Sequence, residues 1–355
     1  MWGGGTLWEQ GARGDLHEGL PPVLVDMAPQ GFFGRNFSER FPELRLPLRL
    51  ADWSDDHRVI SLARRGEDCV GDVIIGDESL NRFLARLPED VGPERYPDLA
   101  DRSAREVVGS SAGGERPKFG VFSRGRHVLV KFASPAATDV ARRWRDLLWC
   151  EWKALEVLAA AGRPVPGRRC LDDRGWRFLE VERFDRVGRQ GRVAVISLFA
   201  LNNEYFGTPD TWTSAAPLLR GPPLSLPQGD VAAMRWLDVF GQLIGNTDRH
   251  FGNITFFVRP DGTLRLAPAY DMLPMVLAPS AEAVVTRSFD PAPPTGSTLD
   301  VWFDAATWAQ RFWAEVRDQG DLDADVRAFA EQAVRAISAL ADRVAPMQAS
   351  PASKP

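Results

Sequence analysis

Apolar and polar positions alternate in distinct rhythms along this chain. From Val231 to Ile244 the residues are mostly apolar, which predicts a buried helix. Gly245 to Asn253 interrupts that run with small, polar and charged residues. Ile254-Thr255-Phe256-Phe257-Val258 follows, β-branched and aromatic as a strand requires. Arg259-Pro260-Asp261-Gly262 reads as a turn, because Pro presets φ and Gly tolerates positive φ. Thr263 to Ala267 returns as a second strand. Equal arms bring Asn253 back beside the Pro268–Asp271 stretch, so Asp248, Asn253 and Asp271 should converge at one mouth.

The same patterning places other elements. Lys118–Phe122 and His127–Phe132 form a hairpin around Ser123–Arg126, and Trp176–Val181 is a further strand. Trp144 to Ala161 is helical, with Leu147, Leu148, Trp152, Leu155 and Leu158 on one face, and stops at Gly162-Arg163-Pro164. Helical spacing also marks Arg58–Arg64, Ser79–Leu87, Thr307–Asp318 and Val326–Val344. Val23–Met27 is a short apolar segment, and Val70–Gly76 reads as a strand bounded by glycines. Pro88–Ala100 has the composition of a linker. Residues 202–230 lack periodicity and fit either a loop over the site or a surface that folds against a partner. Met272–Gly296 is loop-like apart from Ala281–Arg287, and Gln348–Pro355 is expected to be a disordered tail.

Composition narrows the class. The 355 residues allow two lobes and a sizeable core, and 44% hydrophobic with 26% charged residues is ordinary for a globular protein. A net charge of −5 argues against a chain-wide nucleic-acid footprint. Cys69, Cys150 and Cys170 are scattered without a C-x-x-C pair, which points to a reducing compartment and to no disulfide or zinc framework. No leader and no long apolar run is read, so no membrane association is expected and the location is expected to be cytoplasmic.

The chemistry sits in three places. Asn253 and Asp271 offer hard oxygen ligands that suit Mg²⁺. Asp248 stands five residues before Asn253, the spacing by which a kinase catalytic loop sets a base near a hydroxyl and an Asn on the metal. A polar loop whose side chains only cap turns is the plainer alternative. Lys131 ends an apolar strand and is either an edge-protecting charge or a phosphate-pairing lysine. Glu151 is either an exposed helical residue or that lysine's partner. Gly109-Ser110-Ser111-Ala112-Gly113-Gly114 is a small-residue loop able to approach phosphates, yet not a Walker A motif, because Glu115 stands where Lys is needed.

Asn246-x-Asp248-x-His250-x-x-Asn253 followed by Leu266-Ala267-Pro268-Ala269-Tyr270-Asp271 resembles the HipA family of bacterial serine/threonine kinases, toxins of type II toxin–antitoxin pairs. Gly19-Leu20-Pro21 with Asp26-Met27 and Pro29-Gln30-Gly31-Phe32-Phe33-Gly34-Arg35 resembles a subgroup of orphan HipA-domain proteins, some of which carry a helix-turn-helix ahead of this part. The resemblance implies an α+β, two-lobed protein-kinase-like fold, with a mixed β-rich N-terminal lobe and a mainly helical C-terminal lobe. The expected parts are an N-terminal subdomain over 1–108, an ATP-binding core and hinge over 109–186, the helical lobe over 187–347 and the tail 348–355.

The resemblance also implies ATP and Mg²⁺ as cofactors, with Asp248 catalytic and Asn253 and Asp271 on the metal. Ala112, Gly113, Gly114, Lys131 and Tyr270 would belong to the nucleotide site. Backbone groups of Glu182, Arg183 and Phe184 would meet adenine, and Asp185 would lie near the ribose. His250 would contact phosphate or brace the loop. Ser110, with Ser111 beside it, matches the family's self-phosphorylated serine. Glu115 and Pro117 depart from the Gln and Lys usual in that loop. The implied partners are a protein substrate, such as a translation component, and an antitoxin-type DNA-binding protein, without direct nucleic-acid binding. Two other readings stand beside this one, a kinase-like binding protein of weak catalysis and a small-molecule phosphotransferase.

Overall fold

The computed structural model describes residues 19–106, 117–280 and 283–349. A four-stranded antiparallel sheet forms one lobe, in the order β1 (Lys118–Ser123), β2 (Arg126–Ala133), β4 (Trp176–Glu182), β3 (Arg168–Asp173). Strand alternation gives the sheet two faces. Val128, Val130, Phe132 and Phe178 pack on the buried Tyr96 and Ala100 of the helix Tyr96–Glu106. On the other face Ala133 and Leu179 meet Leu148 of the helix Asp139–Ala160. Thr138 starts that helix by accepting the Ala141 N–H at 3.2 Å, as an N-cap hydroxyl does. Lys131 is opposite Leu179, and Leu179 opposite Cys170, so Lys131 faces the helix that carries Glu151.

The second lobe is mainly helical, built on Gln228–Leu243, Leu299–Asp318 and Ala324–Ala349. Its core gathers Trp212, Trp236, Phe240, Trp302, Phe312 and Trp313, all about 1% exposed or less. A short antiparallel sheet runs β7 (Val195–Ser197), β8 (Thr255–Val258), β9 (Leu264–Leu266) along its edge toward the first lobe. Between the lobes lies a small hairpin, β5 (Arg186–Val187) and β6 (Gly191–Arg192). The fold is therefore the two-lobed α+β kinase-like architecture.

Four expectations are corrected. Val70–Gly76 is no strand: Gly71 and Gly76 take φ of +81° and +76°, and the loop's carbonyls are used by remote arginines. Pro88–Ala100 is no linker, because Tyr96 is fully buried and its hydroxyl donates to Glu180 Oε2 at 2.9 Å. Residues 202–230 neither hang over the site nor wait for a partner. Trp212, Ala215, Leu219, Leu224 and Leu226 are buried in the helical lobe. Within Ala281–Arg287, the described residues 283–287 form no regular element, and Arg287 donates to the carbonyls of Val276 and Ala278.

Candidate active site

The apolar helix ends at Gly245, whose φ of +72° turns the chain; a Cβ there would sit 2.6 Å from Val276 Cγ1. Asn246 comes next and is 1% exposed. Its Oδ1 accepts the Asp248 N–H at 3.0 Å, and its Nδ2 donates to the Asp271 carbonyl at 3.1 Å. One buried amide thus joins the loop to the stretch after the hairpin. Asp271 has a φ of +52°, left-handed and tolerated by Asp better than by most residues.

Asp248 is exposed, and its carboxylate accepts no hydrogen bond among the described residues. Asn253 Nδ2 donates to the Asp248 carbonyl at 2.8 Å, which leaves the amide oxygen as the outward donor atom. Asp271 and the Asn253 amide are the residues that would hold Mg²⁺, because both offer the hard oxygen that this ion takes. Among the described residues no group of three or more His, Cys, Asp or Glu is placed to hold a metal ion.

Lys131 connects the lobes. It is 5% exposed; its Nζ lies 2.5 Å from Glu151 Oε1 and contacts Asp271 Oδ1. Glu151 is 1% exposed, and its Oε2 has no hydrogen-bond partner among the described residues. The strand lysine, the helix glutamate and the expected metal residue therefore meet, although they are 20 and 140 residues apart.

His250 is exposed, and its Nδ1 accepts the Gly252 N–H at 3.0 Å. That bond places the neutral ring's proton on Nε2, so the ring braces the loop through one nitrogen and presents a donor with the other. The Tyr270 hydroxyl donates to the Gly252 carbonyl at 2.8 Å and lies 2.7 Å from Thr255 Oγ1. Burial raises its pKa, which keeps it a donor. Both bonds tie the Tyr270 hydroxyl to the loop and to β8. Its ring lies 5.7 Å from the Phe184 ring.

At the hinge the Asp185 expectation is corrected, and two of the three backbone N–H groups are already paired within the chain. The Glu182 N–H donates to the Gly167 carbonyl at 2.7 Å and the Arg183 N–H to the His127 carbonyl at 2.9 Å. Among Glu182, Arg183 and Phe184, the Phe184 N–H is the one without a partner among the described residues. Asp185 is 4% exposed and does not face a sugar. Its carboxylate takes Arg183, Arg186 and the Gly71 N–H at 2.6–3.1 Å. Burial alone would raise that carboxyl, but the two guanidinium groups hold it below the usual carboxylate range. Ser110, Ser111, Ala112, Gly113 and Gly114 lie outside the described residues.

Sequence reasoning missed the support beneath the loop. Asp238 Oδ1 accepts Arg249 Nε at 3.0 Å, and Asp238 Oδ2 accepts the N–H and hydroxyl of Thr213 at 3.0 and 2.7 Å. Arg249 also donates to the Asn246 carbonyl, and Trp212 Nε1 to the His250 carbonyl at 3.1 Å. The available signal was a carboxylate within the apolar run 231–244, since a buried charge demands a partner.

The comparisons with known proteins bear on the fold and the family. Residues 110–344 match the HipA-like C-terminal domain, and residues 1–84 match the YjjJ-like toxin middle domain. Toxin YjjJ of Escherichia coli (strain K12) is 33% identical over 365 residues, spanning 98% of this chain and 81% of that protein. The solved HipA of Shewanella oneidensis MR-1, in a complex with HipB and its operator DNA, superposes with a TM-score of 0.60. That match has 17% identity and covers 93% of this chain and 87% of the other. Among the described residues no helix is long and apolar enough to cross a membrane.

Proposed function

We propose that this chain, which belongs to the HipA-like toxin family, is an ATP- and Mg²⁺-dependent kinase that phosphorylates a Ser or Thr hydroxyl of a protein. The observation that carries the reading is an unbroken run of contacts from Glu151 through Lys131, Asp271 and Asn246 to Asp248 and Asn253. In this reading Lys131, held by Glu151, pairs with the phosphates of ATP. Asn253 and Asp271 hold Mg²⁺, which when bound neutralises charge on the β- and γ-phosphates. Asp248 accepts the hydroxyl proton as its oxygen bonds to the γ-phosphorus and the bond to the β-phosphate oxygen breaks, releasing ADP. The Phe184 N–H is the hinge donor available to the base. Its working surroundings are the cytoplasm, with an antitoxin-type DNA-binding protein as partner, by likeness to the HipB-bound structure.

The test is incubation of the purified chain with γ-labelled ATP and Mg²⁺, alone and with cell lysate, beside Asp248→Asn. Label on the chain or on a lysate protein, lost in a variant that still folds, is the expected result. ATP binding without any transfer would replace the kinase with a nucleotide-binding partner protein. Full transfer in Asp248→Asn would remove that residue from the mechanism.

A further inference from the structure

The loop 67–73 has a role that its sequence does not announce. Its backbone carbonyls close around two guanidinium groups from the hinge hairpin. Arg186 donates to the carbonyls of Asp68, Cys69 and Gly71 at 3.2, 2.6 and 3.2 Å, and to the Asp68 carboxylate at 3.0 Å. Arg192 donates to the carbonyls of Glu67, Cys69 and Val73 at 2.8, 3.2 and 3.1 Å. Arg186 is 8% exposed and also holds Asp185 Oδ2 at 2.6 Å. The Gly71 N–H completes the ring by donating to the same oxygen at 3.1 Å. Nearby, Gln190 Nε2 donates to the Phe83 carbonyl at 3.1 Å and Arg189 Nη1 to the Pro88 carbonyl at 2.7 Å.

We propose that loop 67–73 is a clamp on the interlobe hinge, and that Arg186 is the positioning residue through which this clamp sets affinity for ATP. The inference rests on the kinase reading above. A hinge works by absorbing changes in φ and ψ at a few residues. Here those residues are tied to carbonyls that cannot shift without moving the whole loop. The Arg183 N–H to His127 carbonyl bond passes the restraint into β2, the strand that carries Lys131. A hinge held in register presents the Phe184 N–H and Lys131 at a fixed separation, and preorganisation of that kind acts on ligand affinity. Lysine cannot replace Arg186, because a point ammonium lacks the planar fork that reaches several carbonyls at once.

The experiment uses the full chain and the variants Arg186→Lys and Asp68→Asn. Fluorescent ATP titration, KM and kcat for ATP, and hydrogen exchange over 67–76 and 182–187 are measured for each. Arg186→Lys is expected to weaken ATP binding and raise KM about tenfold, with kcat at saturating ATP within about twofold of wild type. Exchange should rise in both segments together. Asp68→Asn neutralises the carboxylate that Arg183 and Arg186 both meet, at 2.8 and 3.0 Å, while leaving the loop carbonyls on Arg186; it should weaken binding about twofold to threefold, which carries the test if Arg186→Lys does not fold. Raised exchange with unchanged ATP affinity overturns the proposal. A wild-type chain that binds no ATP overturns the kinase reading instead. The clamp is then judged by exchange alone, and unchanged exchange over 182–187 in the variants overturns it.

Discussion

Two buried charge clusters, around Asp185 and around Lys131, differ in how far they are satisfied. Around Asp185 every carboxylate oxygen has charged or amide donors, and the Arg186 guanidinium is surrounded by carbonyls. Around Lys131 one cation serves two carboxylates, Glu151 Oε2 has no partner among the described residues, and Asp271 remains 29% exposed. A buried charge left short of partners costs free energy, so a saturated cluster holds structure while an unsaturated one at a cleft is poised for a ligand. In the proposed reaction the Mg²⁺ would supply positive charge beside Asp271, leaving Lys131 to share its charge between Glu151 and the phosphates. The Asp185 cluster has no room for such a role, which is why it acts on the hinge and not on the nucleotide directly.

The largest effect should come from the unsaturated side. Lys131→Met is expected to slow phosphate transfer about a hundredfold or more, since a positioned donor to a transferring group contributes on that scale. It also leaves Glu151 buried without its cation, at about 3–5 kcal/mol of stability. The double variant Lys131→Met/Glu151→Gln should recover that stability in urea melts but none of the transfer. Recovery of both would make the pair structural and erase the contrast.

Asn246→Ala should have an intermediate effect. It removes two buried hydrogen bonds that join Asp248 to Asp271, costing about 2 kcal/mol of stability and about tenfold in transfer. Stability and kcat measured on the same preparation would separate the two.

A third buried carboxylate sharpens the comparison away from the cleft. Asp146 is 6% exposed and accepts the Asp323 N–H at 3.1 Å. Burial pushes its pKa up to about 6, against the lowering by that bond. Between its ordinary value and this one, the folded chain holds the proton and the unfolded chain does not. Its contribution to stability therefore falls as pH rises from about 4 to about 6 and is level above that. Asp146→Asn should remove about 2–3 kcal/mol of that slope and leave transfer unchanged, as melts at several pH values would read. An identical slope in the variant would show that Asp146 ionises in the folded chain as it does unfolded.

How much of this was readable in the sequence follows from how local each cause is. The helix, loop and hairpin around residues 231–271 are adjacent in the chain, so periodicity and turn chemistry were enough to bring Asp248, Asn253 and Asp271 to one place. Alternation put Lys131 on the face of Leu129 and His127, whereas Glu151 came only from the kinase pattern, beside the alternative of an exposed helical residue. The failures share a remote cause. Residues 70–76 looked like a strand, yet their carbonyls are held by Arg186 and Arg192, more than 110 residues away. Tyr96 gave the segment 88–100 a core role through Glu180, 84 residues on. Asp185 lies in a motif read as a nucleotide contact, but the Gly71 amide that claims it is 114 residues earlier. Trp212 and Thr213 support the loop 246–253 from a stretch without periodicity, because their partners are His250 and Asp238.

The most direct test of the contrast is equilibrium binding of ATP, with and without Mg²⁺, to the wild-type chain and to Asp271→Asn. If the Lys131 cluster is the nucleotide and metal site, Mg²⁺ tightens ATP binding in the wild type, and Asp271→Asn, still folded, loses that gain. An equal gain from Mg²⁺ in the variant, or ATP binding indifferent to Mg²⁺ in both, would contradict the account.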